Sequence, residues 1–358
     1  MDKKPLIVVS LCAVVLLVLG SLSNVVGYQT FQSSVSRDNW LYVGGSGPGN
    51  YTRIQDAIND VSDGDTVFVF SGNYYEHIIV SNSINLIGEN QESTVIDGNH
   101  TGNVMKIFAN RVTLTGFTIQ NSGDFMYNDV GLDIYSNNNT IIDCVVRNNV
   151  HGLGLSYAHG NLISENYVHH NRDGILIGGF SSWNQITNNT IINNDCDGIY
   201  IGGNDIISYN HHETIADNVV TRNSFGIDTA GLTDSLITRN TVSDNNYNGM
   251  DLDDTVNCVI SWNLIRDHGK WGILSEFSSN NTFQHNTLIN AGYGLAYYTN
   301  HGTPDTWYQN YWGRSRILPK LIFGNRMFNE DDDDHAFCLP WVIIDWHPVQ
   351  EPYNIGGI

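Results

Sequence analysis

The repeat that decides the fold is clearest in three successive segments, NVVTRNSFGIDTA (218–230), NTVSDNNYNGMDLD (240–253) and NLIRDHGKWGILSE (263–276). Each begins with an asparagine and reaches, eight or nine residues later, a glycine that opens a short apolar run. The glycine recurs at intervals of 22 to 28 residues, at Gly152, Gly174, Gly198, Gly226, Gly249, Gly272 and Gly294. The asparagine position that precedes each glycine shifts together with it, at Cys144, Asn166, Asn189, Asn218, Asn240, Asn263 and Asn286. We call these two positions the anchors of the repeat. Two anchors that drift together identify a tandem repeat.

Each repeat has room for two or three short strands, separated by residues that favour turns. Such strands are unstable alone, but stacked rungs form long parallel sheets around a continuous core. Neighbouring strands lie about 4.8 Å apart, so residues at equal repeat positions stack above one another. We therefore predict that the anchor asparagines form a ladder of paired side-chain amides. A second column follows five residues later, at Asn149, Asn171, Asn194, Asn223, Asn245, His268 and Ala291.

The repeat, written N-x-[IV]-x-x-N-x-x-G-[IL]-x-[IL], resembles that of right-handed parallel β-helices. This architecture is shared by pectin-lyase-like proteins and by the NosD-like family of secreted repeat proteins. The resemblance runs from roughly Leu41 to the C-terminus. It implies an all-β fold, a single-stranded right-handed parallel β-helix of about nine or ten rungs spanning residues 66–300.

The segments before the repeat predict export and an N-terminal cap. Residues 1–27 resemble a secretory signal peptide, with Lys3 and Lys4 before a short apolar run. An uncleaved membrane anchor is the alternative. Residues 28–40 form a polar linker, and residues 41–65 are similar to the N-terminal cap of pectin methylesterases and NosD-like proteins. There Thr52 is positioned to cap a helix whose apolar face is formed by Ile54, Ala57, Ile58 and Val61.

The segment after the repeat, residues 301–358, predicts a C-terminal aromatic cap. It is rich in Trp and Pro, and its YWG (311–313) and PWVIIDWHP (340–348) elements resemble the tails of archaeal secreted β-helix proteins. Residues 330–334 form an acidic run that is either a solvated loop or a cation site.

Composition limits the classes of binding partner and the cellular location that we expect for the protein. The formal net charge is −21, which disfavours nucleic acid and anionic membranes. With the signal peptide removed we expect no stable membrane insertion and a secreted or cell-surface protein. Disulfides and free core thiols both remain open for the four remaining cysteines, Cys144, Cys196, Cys258 and Cys338.

Alternation along the rung strands predicts an acidic patch. The second and fourth residues after each glycine should point outward. Four carboxylates then share three consecutive rungs, Asp228, Asp251, Asp253 and Glu276. Such a patch either binds a cation, for which oxygen donors favour calcium, or is a solvated face. Residues expected near it are Asp254, Arg266, His268, Lys270, Tyr200 and Tyr298.

A second candidate site combines His151, Asp173 and Asp197, which lie at equivalent positions of adjacent rungs. Two histidine pairs, His169-His170 and His211-His212, lie nearby in the sequence. The three residues either bind a metal or satisfy backbone groups at turns. The NosD-like resemblance implies copper delivery to a reductase, but thirteen histidines without a close Met or Cys cluster give copper little support.

Two function classes follow. The first is a structural or carbohydrate-binding module of the cell envelope, with a polysaccharide or envelope glycan as partner. The second is a polysaccharide-modifying enzyme, a lyase, hydrolase or C5-epimerase, that uses the acidic patch with calcium as its cofactor. Metal delivery in the NosD manner is a third, weaker alternative. The repeat itself favours the first class, because it specifies architecture and not activity.

Overall fold

Three long sheets of parallel strands wind the chain into a right-handed β-helix. The structure, a computed structural model, describes residues 39–125, 129–202, 210–301, 303–328 and 337–355. The signal peptide expected at 1–27, residues 28–38 of the expected linker and the acidic run at 330–334 lie outside these ranges. Among the described residues, no helix is long and apolar enough to cross a membrane.

Sheet A holds the first strand of each turn and sheet B the second. The strands of sheet A are β1 Trp40–Val43, β2 Thr66–Val69, β5 Asn85–Gly88, β8 Thr113–Thr115, β11 Thr140–Ile142, β14 Leu162–Ser164, β17 Gln185–Thr187, β21 Thr214–Ala216, β25 Leu236–Thr238, β28 Val259–Ser261, β31 Thr282–Gln284 and β34 Thr306–Tyr308. The strands of sheet B are β3 Gly72–Tyr75, β6 Thr94–Asp97, β9 Thr118–Gln120, β12 Val145–Arg147, β15 Tyr167–His169, β18 Thr190–Ile192, β22 Val219–Thr221, β26 Thr241–Ser243, β29 Leu264–His268, β32 Thr287–Ala291 and β35 Tyr311–Trp312.

Sheet C holds the third strand of each turn and begins at or near the repeat glycine. Its strands are β4 Ile78–Val80, β7 Met105–Ile107, β10 Val130–Ile134, β13 His151–Ser156, β16 Asp173–Gly178, β19 Asp197–Gly202, β23 Phe225–Ala230, β27 Met250–Asp253, β30 Trp271–Ser278, β33 Gly294–His301, β36 Lys320–Phe328 and β37 Phe337–Asp345. The last pair, β36 and β37, is antiparallel. A separate small sheet pairs β20 Asn210–His211 with β24 Leu232–Thr233.

The β-helix is longer than the repeat predicted. Twelve strands in sheet A correspond to about twelve turns, where the sequence indicated nine or ten. Ten strands of sheet A lie within the predicted range 66–300, and the additional turns are at its two ends, where β1 pairs with β2 and β34 pairs with β31 in the same parallel way without the repeat glycine. Backbone stacking and inward apolar residues are therefore sufficient to continue the solenoid where the repeat signature is missing.

The core is a stack of apolar columns, one or two from each sheet. In sheet A the column consists of Ile141, Ile163, Ile186, Ile215, Ile237, Ile260, Phe283 and Trp307, all buried. In sheet B it consists of Val146, Val168, Ile191, Val220, Val242, Ile265, Leu288 and Trp312, all buried. β-Branched residues dominate because both neighbours above and below present the same shape on a pleated surface. The columns become aromatic at the C-terminal end, where the Phe283 and Trp307 rings stack 3.9 Å apart.

The predicted asparagine ladder is confirmed. Asn240 is fully buried, and its Nδ2 donates to Asn263 Oδ1 at 3.0 Å and to the carbonyl of Ile215 at 2.8 Å. Its own Oδ1 accepts from both the backbone N–H and Nδ2 of Asn218. The column passes through Asn286 and Asn310 to the buried carboxylate of Asp345. The second column is also a ladder and ends at His268, whose Nδ1 accepts from the backbone of Asn245.

A third ladder, which the sequence did not indicate, lies where each turn enters sheet A. Its members are Asn139, Asn161, Asn184, Glu213, Ser235, Cys258, Asn281 and Asp305. This column contains several residue types, so a search for repeated asparagines does not find it. Glu213 accepts from the N–H and Nδ2 of Asn184, and burial raises its pKa to about 8. The neutral acid is thus the favoured form at this position at neutral pH.

Left-handed backbone angles occur at the residues that precede the ladder asparagines. Arg239 and Trp262 precede ladder asparagines and have φ of 54° and 58°. Left-handed angles are disfavoured for such side chains by about 1–2 kcal/mol. The ladder hydrogen bonds that follow each bend offset this strain and fix the corner of the turn.

The N-terminal helix, α1, spans Ile54–Asn59 and packs Ile54, Ala57 and Ile58 into the core. The expectation that Thr52 caps it is wrong. The carboxylate of Glu76 instead accepts from the backbone N–H groups of Ile54 at 2.8 Å and Gln55 at 3.1 Å. A tertiary contact thus satisfies the helix N-terminus, which no local capping pattern could reveal.

Replacing Asn240 with Leu is expected to destabilise the protein by about 2–6 kcal/mol, because Asn218 and Ile215 lose buried hydrogen-bond partners. Asn246 lies in the same turn but is exposed, so Asn246→Leu is the matched control and should change stability little. Urea unfolding monitored by circular dichroism measures both variants. Equal midpoints for the two variants would contradict a buried, energetically important ladder.

Candidate functional site

The predicted acidic patch lies on the outer face of sheet C. Asp228 pairs with Asp251 on the next rung, and Asp253 pairs with Glu276 on the one after. All four side chains are partly exposed, whereas the alternating residues such as Leu252 are buried. The strand register therefore forms the two carboxylate columns that the repeat predicted.

The columns end differently from the prediction, because the register shifts by one residue after β30. Trp271 pairs with Gly294, so Tyr297, and not Ala296, continues the column of Asp251. Tyr298 pairs with the buried Ser275 and is itself fully buried. The expectation that Tyr298 flanks the patch is therefore wrong. Tyr200 does flank it, since it pairs directly with Asp228.

The second candidate site continues the same surface. His151 Nδ1 lies 2.8 Å from Asp173 Oδ2, and the backbone N–H of Asp197 donates to Asp173 Oδ1 at 3.3 Å. Asp197 and Asp228 lie on the paired strands β19 and β23, and repulsion from Asp197 contributes to the raised pKa of Asp228. The two candidate sites thus form one acidic face, defined here as the outer surface of sheet C from His151 to Glu276.

Burial is the main cause of the raised pKa values of the carboxyl groups in this acidic face. Burial, followed by repulsion from neighbouring carboxylates, raises the pKa of Asp197 to about 7 and that of Asp228 to about 8. The pKa values of Asp251, Asp253 and Glu276 are also raised, with burial the largest cause in each. Repulsion between the carboxylates is the smaller effect.

Asp173 is the exception. Burial would raise its pKa, but the hydrogen bond and charge of His151, together with the charge of Arg172, outweigh burial and lower it. A carboxylate held ionised therefore lies beside carboxyl groups that favour the protonated form. Such unequal pairs are the arrangement by which enzymes assign acid and base roles.

The three cationic candidates differ in position. Lys270 is near the patch, where its charge opposes the rise in the pKa of Asp251, and its Nζ lies 4.3 Å above the Tyr247 ring. Arg266 lies in sheet B and bonds to Asp267 at 2.9 Å. His268 is buried in the second ladder, and burial lowers its pKa to about 4. The expectation that Arg266 and His268 approach the patch is wrong.

The two histidine pairs stay outside this acidic face. His169 belongs to β15 in sheet B, and its Nδ1 lies 2.6 Å from that of His170. His212 follows β20 and stacks on Trp183 with ring centroids 4.1 Å apart. Neither pair brings an imidazole to Asp173 or Asp197 in the structure.

Aromatic and amide side chains border the acidic face, and sequence reasoning missed most of them. Phe225 and Tyr247 stack 5.0 Å apart, and Trp271 and Tyr297 lie 5.2 Å apart. Asn248 donates to Asp251 Oδ2 at 2.8 Å and so orients that carboxylate. These residues lie just before or after the repeat glycines, where outward direction depends on the local bend and not on simple alternation.

Metal-binding geometry is concentrated at one end of the acidic face. Asp173, Cys196 and Asp197 offer ligand atoms that all lie within 4.8 Å of one another. Among the described residues no such group of three forms from Asp228, Asp251, Asp253 and Glu276. Calcium binding by these four carboxylates stays a prediction. Cys196, absent from the sequence-based set, was identifiable only as the neighbour of Asp197.

The family comparison identifies the repeat. The sequence profile of the family described as periplasmic copper-binding protein (NosD) matches residues 58–211 and 202–327, well over half of the chain. Copper accepts imidazole and sulfur donors. The cluster of Asp173, Cys196 and Asp197 offers one sulfur and two carboxylate oxygens, and His151 contacts Asp173, so the donor set fits a divalent transition metal.

Solved structures share the β-helix fold at low sequence identity. The catalytic domain of a GH87 α-1,3-glucanase variant with bound tetrasaccharides is 15% identical, with 79% of this chain and 61% of that chain covered and a TM-score of 0.59. The A-module of a mannuronan C-5 epimerase from Azotobacter vinelandii is 16% identical, covering 73% and 82%, with a TM-score of 0.56. The Dettilon tailspike protein is 15% identical, covering 82% and 74%, with a TM-score of 0.58. The chain spans about six-tenths of the length of the glucanase domain. No curated protein matches.

The raised pKa of Asp228 predicts a pH-dependent stability. The folded-state pKa of about 8 exceeds the ordinary value of 3.8, so this group stabilises the fold least above about pH 8 and loses its contribution as pH rises towards that value. Asp228→Asn cannot ionise and should melt increasingly higher than wild type between pH 4 and about 8. Asp234→Asn, which removes an exposed carboxylate between β24 and β25, is the control for the loss of one acidic side chain. Parallel curves for Asp228→Asn and wild type would contradict the assignment.

Proposed function

We propose, since the chain belongs to the NosD family of periplasmic proteins, that it acts outside the cytoplasm and binds a polysaccharide along the acidic face of sheet C. The observation that carries this proposal is the column of Tyr200, Asp228, Asp251, Leu274 and Tyr297, which crosses five rungs in register. A linear chain of sugars repeats along its length, as does this surface. Two structures of the same fold bear the names of a glucanase and a mannuronan epimerase, which supports a glycan as the ligand class.

The side chains suit sugar recognition. Carboxyl groups and amides exchange hydrogen bonds with hydroxyl groups, and aromatic rings cover the apolar faces of sugar rings. Asp251 is already oriented by Asn248, and Trp271 is packed against Tyr297. These contacts reduce the entropy lost on binding.

The charge of the acidic face limits the kind of glycan. A neutral glycan meets no repulsion, whereas a uronate-containing glycan is repelled unless a cation lies between the two. Asp251 and Asp253 would contribute oxygen ligands to a calcium ion whose shell the glycan carboxylate completes, because calcium takes six to eight oxygens. Calcium would then link the acidic face to the carboxylate of the glycan.

A second candidate function, cleavage or epimerisation of the bound polysaccharide, is favoured by the unequal protonation of the carboxyl groups. Asp228 or Asp197 would act as the general acid, and Asp173, held ionised by His151, would act as the base or nucleophile. The rate should then fall as pH rises above about 8, because the acid loses its proton. Asp228→Asn should remove turnover and retain binding.

The test is binding of the full chain to neutral and uronate-containing polysaccharides, each with calcium and with a chelator. Trp271→Ala should weaken binding about tenfold, since an aromatic contact contributes about 1–1.5 kcal/mol. Tyr167→Ala removes an exposed ring of sheet B and is the matched control, which should bind like wild type. Asp251→Asn with Asp253→Asn should abolish only a calcium-dependent component.

Equal losses in Trp271→Ala and Tyr167→Ala, or no glycan bound at all, would contradict the proposal. Each bound glycan is then incubated with the protein and examined for new reducing ends, unsaturated products or changed uronate configuration. Binding without any of these products would exclude the enzymatic candidate and leave the binding function.

A further inference from the structure

One end of the acidic face holds a cluster of unlike donors, Asp173, Cys196 and Asp197. Their ligand atoms, one sulfur and two carboxylate oxygens, all lie within 4.8 Å of one another. Asp173 and Asp197 are 5% and 8% exposed, and Cys196 is partly exposed. The donors are therefore held within the rung stack yet can be reached from solvent on the Cys196 side.

Asp197 provides an independent sign that a ligand is missing from this cluster. Its Oδ1 atom is buried and has no hydrogen-bond partner among the described residues. An unpaired buried polar oxygen is unfavourable, so buried carboxylates are nearly always hydrogen-bonded or metal-bound. The backbone N–H of Asp197 itself donates to Asp173 at 3.3 Å, and the Cys196 thiol is the side chain that interacts with the Asp197 carboxyl group.

The residues beside the cluster are arranged like those that orient metal ligands in other proteins. His151 Nδ1 lies 2.8 Å from Asp173 Oδ2 and fixes the orientation of that carboxylate. Metal-binding carboxylates are usually held in this way by a second hydrogen bond. Arg172 Nη1 lies 3.5 Å from the same oxygen, and its side chain is 39% exposed, so it borders the cluster without filling it.

The donor set selects the class of ion. Calcium and magnesium take oxygen ligands and have little affinity for sulfur. A thiolate with two carboxylates suits a borderline divalent transition ion, and three protein ligands leave a fourth position for water or another ligand.

We propose that Asp173, Cys196 and Asp197 bind one divalent transition ion of the zinc and copper(II) class, and that His151 is a positioning residue that holds Asp173. Binding transfers the proton of the Cys196 thiol to solvent, and the resulting thiolate ligates the metal. No electron transfer is involved. The metal proposal does not rest on glycan binding, but a metal at this site would occupy Asp173 and Asp197, the residues to which the enzymatic candidate gives acid and base roles.

The experiment is titration of the metal-free full chain with cobalt(II), followed by displacement with zinc(II). Neither ion is reduced by a thiol. One cobalt ion should bind per chain and produce the near-ultraviolet absorption of a thiolate–cobalt bond, which zinc should abolish and excess calcium should leave unchanged. Asp197→Asn, which preserves shape, should weaken binding by at least tenfold.

Two cysteine variants separate this site from other thiols. Cys196→Ser should lose the thiolate–cobalt absorption. Cys258→Ser is the matched control and should retain it, because Cys258 occupies a ladder position that Ser235 fills on the preceding rung. His151→Ala should weaken binding about 10–100-fold but retain the absorption at saturating cobalt, and His151→Gln should restore part of the affinity by donating an N–H to Asp173.

No thiolate–cobalt absorption in the wild-type protein would overturn the proposal. So would absorption that survives in Cys196→Ser, since the metal would then lie at another thiol, and so would displacement by calcium, which would indicate a site built of oxygens. Glycan binding is measured separately, so failure of this site and failure of the proposed function remain distinguishable.

Discussion

The structure depends on the side-chain ladders that run along the three corners of the β-helix. At each corner a residue in the left-handed conformation bends the chain, and the next residue is locked by hydrogen bonds to the turns above and below. The bend is unfavourable by itself, particularly for residues such as Arg239 and Trp262. The ladder gives every corner the same rise from one turn to the next. The strands between the corners are therefore aligned in register.

Register at the corners explains the surface chemistry. Three corners per turn fix which residues face outward, so an aspartate at one repeat position lies over the aspartate of the next turn. Burial on this surface, with repulsion from the stacked carboxylates as the second cause, raises the pKa of Asp228. The fold tolerates this repulsion because the stability of the ladders and the apolar columns is distributed over many rungs. An acidic face of this kind can persist where a less repetitive fold would rearrange.

Features with a repeated sequence signature could be predicted, whereas features without one could not. The Asn and Gly positions, whose spacings vary together, were sufficient to predict the parallel β-helix, the first two ladders and the register of the four patch carboxylates. The third ladder escaped notice because Glu213 and Cys258 stand where asparagine would have shown the period. The capping of α1 by Glu76 is a tertiary contact with no local signature. Tyr298 was misplaced because one irregular pairing after β30 reverses inside and outside for the residues that follow.

Amide hydrogen exchange tests the ladder account most directly. The backbone N–H groups of Asn189, Asn218 and Asn240 lie at corners, where amides usually exchange quickly, yet each donates to a buried side-chain oxygen on the next turn. The account predicts that these amides exchange as slowly as those of the central strands, through opening of several turns together. Exchange at the rate of exposed turn amides, with the strands still protected, would contradict it.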